Sequence, residues 1–377
     1  MPRLSDRLAA LLLGEGPLRF DRFQEMALYD PQEGYYARSG RVGREGDFVT
    51  GASWHPAFAR CLARVAAALA DEVGERVAIV DVGAGEGELL EFLSSSDPET
   101  RFDLVGVERS DVRRKAAAAR APRARFFSGV DDLPEGIVGL VVAYELFDAL
   151  PVRAFRVDGS GALVERLVGL SNGGFVFVDG PRSSETAETA ETAETLKRRG
   201  VALEEGQLLE VRPEAASIAR ALARRLARGI LAIFDYGAPA RALYGPARRN
   251  GTLEAFQAHR VHRDVLSDPG SRDITAWVDF SEIEEALRDE GLEIAGLVSQ
   301  SRFLLASGLA NELAVDPEAP RNAAREVERN AVAKLVAPGG MGESLRVLVA
   351  SRETRTALPL VEFPDPLARP GTVPSDV

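Results

Sequence analysis

Cysteine is all but absent from this chain: Cys61 is the single one in 377 residues. One thiol excludes an internal disulfide framework and fits a reducing compartment, so a cytoplasmic protein is expected. Histidine is scarce as well, at three residues, and with one cysteine that leaves little material for a zinc site, so no metal is expected. Basic charge is in deficit: 46 Lys and Arg face 58 Asp and Glu, a net charge of −12. That balance argues against a general nucleic-acid binder. No run of about 18 apolar residues occurs, so no membrane-spanning helix is expected. The N-terminal arginines lie in a leucine pattern, but Asp6 and Glu15 interrupt it. Targeting peptides are poor in acids, and a short amphipathic helix is the better reading. What is present, 45% hydrophobic and 28% charged residues, describes a globular chain with ample core.

Residues 79–91, Ile-Val-Asp-Val-Gly-Ala-Gly-Glu-Gly-Glu-Leu-Leu-Glu, carry the most information. Residues 79–82 are a short β-branched run that reads as a buried strand. Gly83, Gly85 and Gly87 then space a G-x-G-x-G turn ahead of a helical pattern from Glu88. Glycines here let the backbone turn tightly and come close to a ligand where a Cβ would clash. A dinucleotide loop uses G-x-G-x-x-G to seat a pyrophosphate on a helix N-terminus. In this chain the third glycine comes one residue early, and Asp81, Glu86 and Glu88 would repel a diphosphate. A nicotinamide-dependent oxidoreductase is therefore disfavoured. A cofactor with a cationic sulfonium and an amino-acid tail suits the loop better, which makes S-adenosylmethionine (SAM) the candidate. The next strand, 102–107, ends at Glu108, 21 residues after Gly87. That is close to the spacing at which an acid accepts bonds from ribose hydroxyls. Asp81, Gly83, Gly85, Gly87 and Glu108 are thus expected to bind the cofactor.

Helices are expected at 3–13, 20–28 and 56–73, the last opening with Pro56. Strand 77–82, helix 87–94, strand 102–107, helix 110–119 and strands 124–128 and 137–143 follow. This alternation implies an α/β fold, a parallel sheet with helices on both faces. After Pro151 the pattern changes. Residues 153–158, 162–170 and 174–179 alternate around Gly159-Ser160-Gly161 and Asn172-Gly173-Gly174, hairpin signals that predict an antiparallel insert. Residues 185–195 repeat Glu-Thr-Ala three times. A three-residue period does not keep one apolar face on a helix, so a flexible, exposed segment is expected to run into a helix near Leu196. Helix 213–228 leads to buried strand 230–234 and Asp235-Tyr236-Gly237. Residues 238–278 read as irregular, 281–290 and 320–336 as helices, and 293–303 and 345–351 as strands. From Thr354 onward five prolines predict disorder.

In domain terms this gives an N-terminal helical and lid extension (1–55) and the first part of the cofactor-binding core (56–152). The insert with its acidic repeat (153–205) and a return to the core sheet (206–237) come next. A substrate-side insertion (238–280), the C-terminal part of the core with a helical insert (281–353) and the proline-rich tail (354–377) complete the chain.

Tyr144, Glu145 and Asp148 fall at the carboxyl end of a parallel strand, where open α/β sheets bind ligands. Glu145 and Asp148 share a face if a helical turn begins there. Asp148 reads equally as a helix cap. Glu145 follows the strand directly and reads as a site residue whose anion holds the methionine ammonium of the cofactor or a cationic substrate. Asp235-Tyr236-Gly237 ends another strand and should converge on the same cleft. Several acids in one crevice select a cationic acceptor such as a guanidinium, and they raise one another's pKa enough to take a proton from nitrogen. Three segments are expected to form a lid: Gly34-Tyr35-Tyr36, residues 46–50 with Asp47, and Gly251-Thr252-Leu253 with His259. His259 by itself reads as a surface or packing residue. Asp273 reads as a helix cap followed by buried aromatics. The expected catalytic set is Asp47, Asp148, Asp235 and Tyr236.

Taken in order, these stretches resemble the MidA-type methyltransferases, the family of the mitochondrial complex I assembly-factor arginine methyltransferase. The matching stretches are 23–36, Gly46-Asp47-Phe48, 81–89, 145–152, Asp235-Tyr236-Gly237, Gly251-Thr252-Leu253 with His259, 273–280 and Met341-Gly342-Glu343. They span most of the chain. The resemblance implies a Rossmann-like SAM-binding core with family-specific insertions, and protein arginine methylation as one activity. Two departures stand near the expected acceptor pocket: Tyr144 replaces the family's usual Asn, and Gly51-Ala52-Ser53-Trp54-His55-Pro56 stands where a Ser-Pro-Glu segment is usual. The expected function is methyl transfer from SAM to a nitrogen of a protein arginine, with no nucleic-acid partner. A small-molecule N- or O-methyltransferase and a non-catalytic SAM-binding assembly factor are the alternatives.

Overall fold

The structure, a computed structural model, describes residues 3–37, 55–97, 101–257, 260–313, 323–337 and 339–364. An eight-stranded sheet forms its centre. The strands lie in the order Glu293–Ser299, Leu345–Arg352, Leu226–Ala238, Ile137–Tyr144, Val77–Val82, Phe102–Val107, Arg125–Phe127, with Val278–Asp279 beside the end of Leu226–Ala238. Leu226–Ala238 and the four strands beyond it are parallel, and Leu345–Arg352 runs antiparallel between its two neighbours. The central strands are apolar almost throughout because helices cover both faces. Phe58, Leu62 and Leu69 of helix Pro56–Val73 pack on one face. Leu222, Phe280, Ile283 and Leu287, from helices Ala215–Arg225 and Phe280–Asp289, pack on the other. Helix Pro56–Val73 starts where the sequence places it. His55 caps it through Nδ1, which accepts from the Ala57 amide at 3.1 Å, and Gly74 closes it at φ 75°. The parallel arrangement brings Gly83, Glu108, Glu145 and Asp235 to one edge of the sheet, where the order of strands reverses.

The antiparallel insert is a five-stranded sheet of Leu18–Arg19, Leu163–Ser171, Arg153–Val157, Leu208–Val211 and Gly174–Arg182. Helices Leu4–Glu15 and Phe20–Tyr29 close over it. Phe20 meets Phe177 with ring centroids 5.3 Å apart, and Phe23 meets Phe175 at 5.4 Å. Gln24, fully buried, ties this layer to the core. Its side chain accepts from the Val152 amide at 3.0 Å and donates to the Ile274 carbonyl at 2.9 Å.

Several local expectations are corrected. The Glu-Thr-Ala repeat is the helix Ala187–Arg198, capped by Thr186. Thr189 and Leu196 are buried with Ala193 partly buried between them, so one side of the helix packs, anchored by Leu196 just past the repeat. Strand Glu293–Ser299 stops earlier than expected and passes into helix Gln300–Ala306. The irregular stretch 238–278 contains helix Ala240–Leu243 and a three-stranded sheet of Arg260–His262, Glu254–Gln257 and Asp273–Thr275. Asp273 is therefore a strand residue, and Asp279 caps the following helix by accepting from the Ser281 amide at 2.9 Å. In the tail, Leu358–Glu362 is a helix with Leu360 and Val361 buried, and residues 365–377 lie outside the described residues. Among the described residues no helix is long and apolar enough to cross a membrane.

Candidate active site

The glycine loop divides its three glycines between two tasks. Gly83 has φ 83°, and the amides of Gly83 and Ala84 both donate to the Val107 carbonyl at 2.9 Å, which fastens the turn to the neighbouring strand. Gly85 has φ 55°, and a Cβ built there would meet only Arg113 Nη2 at 4.0 Å, so the position opens into a cleft. Gly87 has a packing task instead: a Cβ there would come within 3.0 Å of Ala117, across from the start of helix Glu88–Ser96. Gly83 and Gly85 line the cleft, which holds about 490 Å³.

Acids dominate the wall nearest this loop. Asp81 is the penultimate residue of strand Val77–Val82 and is 4% exposed; burial, with Glu108 and Glu88 nearby, pushes its carboxyl up to about 7. Glu108 accepts from the Gly85 amide at 3.0 Å and from the Ser110 amide at 2.7 Å. Burial raises its pKa, while Arg113 and those two amides oppose the rise. Each oxygen keeps a further lone pair for a hydroxyl. Two cation–aromatic pairs face these acids. Arg109 lies over the Tyr29 ring at 4.0 Å and pairs with Glu25 at 2.6 Å. Arg113 lies over the Tyr36 ring at 4.9 Å, and its buried Nε has no hydrogen-bond partner among the described residues. Arg113 escaped the sequence reading, although its place five residues after Glu108, in the first turn of helix Asp111–Arg120, was a usable signal.

The other end of the cleft is built on strand Ile137–Tyr144. Tyr144 stacks on Phe234 and donates to Gln300 Oε1 at 2.8 Å. Glu145 then takes φ 48°, a left-handed conformation that strains a non-glycine residue, and its amide donates to the Phe234 carbonyl at 2.8 Å. Its Oε1 is buried with no hydrogen-bond partner among the described residues. Burial, with Asp148, Asp235 and Asp273 close by, holds Glu145 well above the carboxylate range. Burial also raises Asp148. Asp273 accepts from the Tyr36 hydroxyl at 2.8 Å and is pushed up to about 7 by burial and by Asp148. Tyr236 is partly buried, and its hydroxyl is raised by burial and by Glu145.

Asp235 differs from its expected place beside an acceptor. It is 0% exposed, and its carboxylate accepts from the amides of Phe147 at 2.9 Å, Asp148 at 3.3 Å and Tyr236 at 2.9 Å. It lies beneath the turn that carries Asp148 instead of facing the cleft. Asp47 and His259 lie outside the described residues. The structure thus brings Asp81, Gly83, Gly85, Glu108 and Glu145 around one cleft, with Asp148 behind its wall. Tyr36, expected in the lid, also lines the cleft, and Asp273, expected as a structural cap, lies behind it on the Tyr36 hydroxyl. The structure adds Arg212, which is 3% exposed beside Asp148 and which no local pattern marks out.

This donor set fits the cofactor expected from the sequence. Asp81, Glu88 and Glu108 would repel a diphosphate, whereas a sulfonium with an ammonium and ribose hydroxyls meets acids suited to each. The bare Gly85 edge allows backbone contact.

Comparison with known proteins agrees. A sequence profile described as “Putative S-adenosyl-L-methionine-dependent methyltransferase” matches residues 58–298. The chain is similar to the Drosophila melanogaster protein named Protein arginine methyltransferase NDUFAF7 homolog, mitochondrial, at 28% identity over 92% of this chain and 84% of that one. The Homo sapiens NDUFAF7 is 25% identical over 80% of this chain and 72% of its own. In structure the chain is similar to a Burkholderia thailandensis protein crystallised with S-adenosyl-homocysteine. Identity is 34%, the TM-score is 0.82, and coverage is 95% of this chain and 94% of that one.

Proposed function

The chain belongs to the S-adenosylmethionine-dependent methyltransferase family, and from that premise we propose that it methylates a guanidinium nitrogen of a protein arginine. When bound, SAM supplies a methyl carbon activated by the neighbouring sulfonium. The chain's own residues then have three tasks. Asp81 would hold the cofactor ammonium, Glu108 would accept from its ribose hydroxyls, and Gly85 would let the loop backbone lie against it; all three line the cleft. Glu145, held as the carboxylate by the bound cation, would accept an N–H of the acceptor through Oε1 and would take up the proton that nitrogen releases as the methyl carbon exchanges its bond to sulfur for one to nitrogen. Burial and the neighbouring acids raise its proton affinity above that of an ordinary carboxylate, which favours that uptake. Asp148 and Asp273 behind it favour a cationic acceptor over a neutral one. Alignment and exclusion of water supply most of the remaining rate, so no nucleophile is needed on the enzyme.

One observation carries the reading: a glutamate held at strained φ in the cleft wall, with a buried oxygen that has no hydrogen-bond partner among the described residues. Two relatives named as protein arginine methyltransferases support the choice of acceptor. Asp47 and Tyr236 complete the proposed acceptor side, and Asp235 acts through the turn above it. We place the protein in the cytoplasm, which the single buried Cys61 supports, although the curated relatives are named mitochondrial. The test is incubation of the purified chain with methyl-labelled SAM and an arginine-bearing peptide library, read by fragmentation mass spectrometry. Label on the guanidinium is the expected result. Label confined to small molecules, or cofactor binding with no transfer, replaces this reading by one of its alternatives.

A further inference from the structure

We propose that Arg212 is the positioning residue of the acceptor side. Its guanidinium fastens the segment that carries Glu145 and Asp148 to the segment that carries Asp273, and it places a fixed positive charge beside Asp148. Arg212 follows strand Leu208–Val211 of the insert sheet, so the insert delivers it under the core. It donates to four backbone carbonyls: Leu150 from Nε at 3.3 Å, Trp277 from Nη1 at 3.0 Å, and Asp148 and Ala276 from Nη2 at 3.0 and 2.6 Å. Two of these belong to the turn after Glu145, and two to the run after Asp273. The Ala276 amide donates back to the Asp148 carbonyl at 3.2 Å, which closes the junction. A planar fork with five N–H donors can span two segments in this way, and a lysine ammonium cannot.

None of those acceptors is a carboxylate, and among the described residues the charge is not spent on a contacting ion pair. It acts through space on Asp148 and Asp235, all three side chains being buried. The charged and titratable groups facing Asp148 are Glu145 on its own segment, Asp235 and Tyr236 on strand Leu226–Ala238, Asp273 on strand Asp273–Thr275, Tyr36 on the turn Tyr35–Ala37, and Arg212. Arg212 also faces Tyr244 and Glu282, and Glu210 lies in its field. Five of the six groups around Asp148 are acids or phenols, so removing the guanidinium raises the pH at which Asp148 ionises. In its chemical use this inference rests on the acceptor pocket proposed above; its geometry does not.

The experiment compares the full-length wild type with Arg212→Lys and Arg212→Met, each saturated with S-adenosyl-homocysteine. Hydrogen exchange is followed at the Phe147, Asp148 and Ala276 amides and at residues 79–87. In Arg212→Met the first group exchanges at least tenfold faster and the second stays within threefold, with Arg212→Lys between the two. Exchange that is unchanged, or equally faster in both groups, overturns the inference. Ethylguanidinium is then titrated from pH 5 to 8. Wild-type binding strengthens as pH rises. The midpoint moves up by about one pH unit in Arg212→Met and stays at the wild-type value in Arg212→Lys. An unmoved midpoint in Arg212→Met overturns the electrostatic half. If the wild type binds no ethylguanidinium at any pH, the guanidinium-acceptor reading fails, and the exchange result alone decides the role of Arg212.

Discussion

Replacing Asp81 with Asn should move two observables in opposite directions. Burial and two neighbouring acids raise this carboxyl from an ordinary 3.8 to about 7, so the folded, unliganded protein holds a proton that the unfolded chain releases. Its contribution to stability is complete below about pH 4 and is lost as pH rises through about 7. The difference of about three pH units, at about 1.4 kcal/mol each, sets an upper bound of about 4 kcal/mol at pH 8. Asp81 lines a cleft that water enters, so about half of that, roughly 2 kcal/mol, is the working figure. Asn keeps the shape and cannot ionise. At pH 8 the unliganded variant should therefore be more stable than the wild type. For 377 residues the unfolding entropy is about 0.8 kcal/mol/K, which converts the gain to about 2–3 °C in Tm. At pH 5.5 about half of that gap should remain, because the unfolded wild type is already ionised there, and the gap should close only near pH 4, where residue 81 is neutral in both states. SAM affinity should fall at pH 8 by about tenfold to a hundredfold, the loss of a charge-assisted bond to the ammonium. Scanning calorimetry with and without SAM at these pH values reads all of this. A variant that melts lower at pH 8 and binds SAM normally would refute the reasoning.

Three further outcomes follow from the same geometry. Gly85→Val puts a branched Cβ into the cleft at a positive φ, so SAM affinity should fall more than about tenfold while circular dichroism stays native. Glu145→Gln should keep SAM affinity within about threefold and lower single-turnover methyl transfer by about a hundredfold, because shape is preserved and proton uptake is lost. Asp235→Asn removes one carboxylate oxygen from a group that serves three backbone amides, so denaturant unfolding should show a loss of about 1–3 kcal/mol. Its turnover per folded molecule should fall much less than that of Glu145→Gln.

The parts of the fold that were legible in the sequence are those set by local pattern. Residues 77–82 and 102–107 are apolar because both sheet faces are covered, and the glycine spacing fixed the turn between strand and helix. The Asn172-Gly173 pair marked a real hairpin between Leu163–Ser171 and Gly174–Arg182. What was not legible is set by distance along the chain. Gln24 finds its partners 128 and 250 residues away, and Arg212 finds its four 62 to 65 residues away. Asp235 has the position of a cleft acid at a strand end, but the turn 146–148 from another strand folds over it and claims its oxygens. Asp273 and Asp279 both precede apolar residues, and only the strand pairing of 273–275 shows which of them caps a helix. The acidic repeat forms a helix against its three-residue period because burying Thr189 and Leu196, with Ala193 partly buried between them, needs only one side of twelve residues.

The central claim, transfer of a methyl group to arginine, is tested most directly by one measurement. Protein extract from cells lacking this chain is incubated with purified protein and methyl-deuterated SAM, and the digested extract is searched for heavy methyl groups by fragmentation mass spectrometry. The account predicts heavy methyl on an arginine guanidinium nitrogen in at least one protein, present with the wild type and lowered about a hundredfold with Glu145→Gln. Heavy methyl only on another side chain or on a small molecule, or none at all while SAM binds, would contradict it.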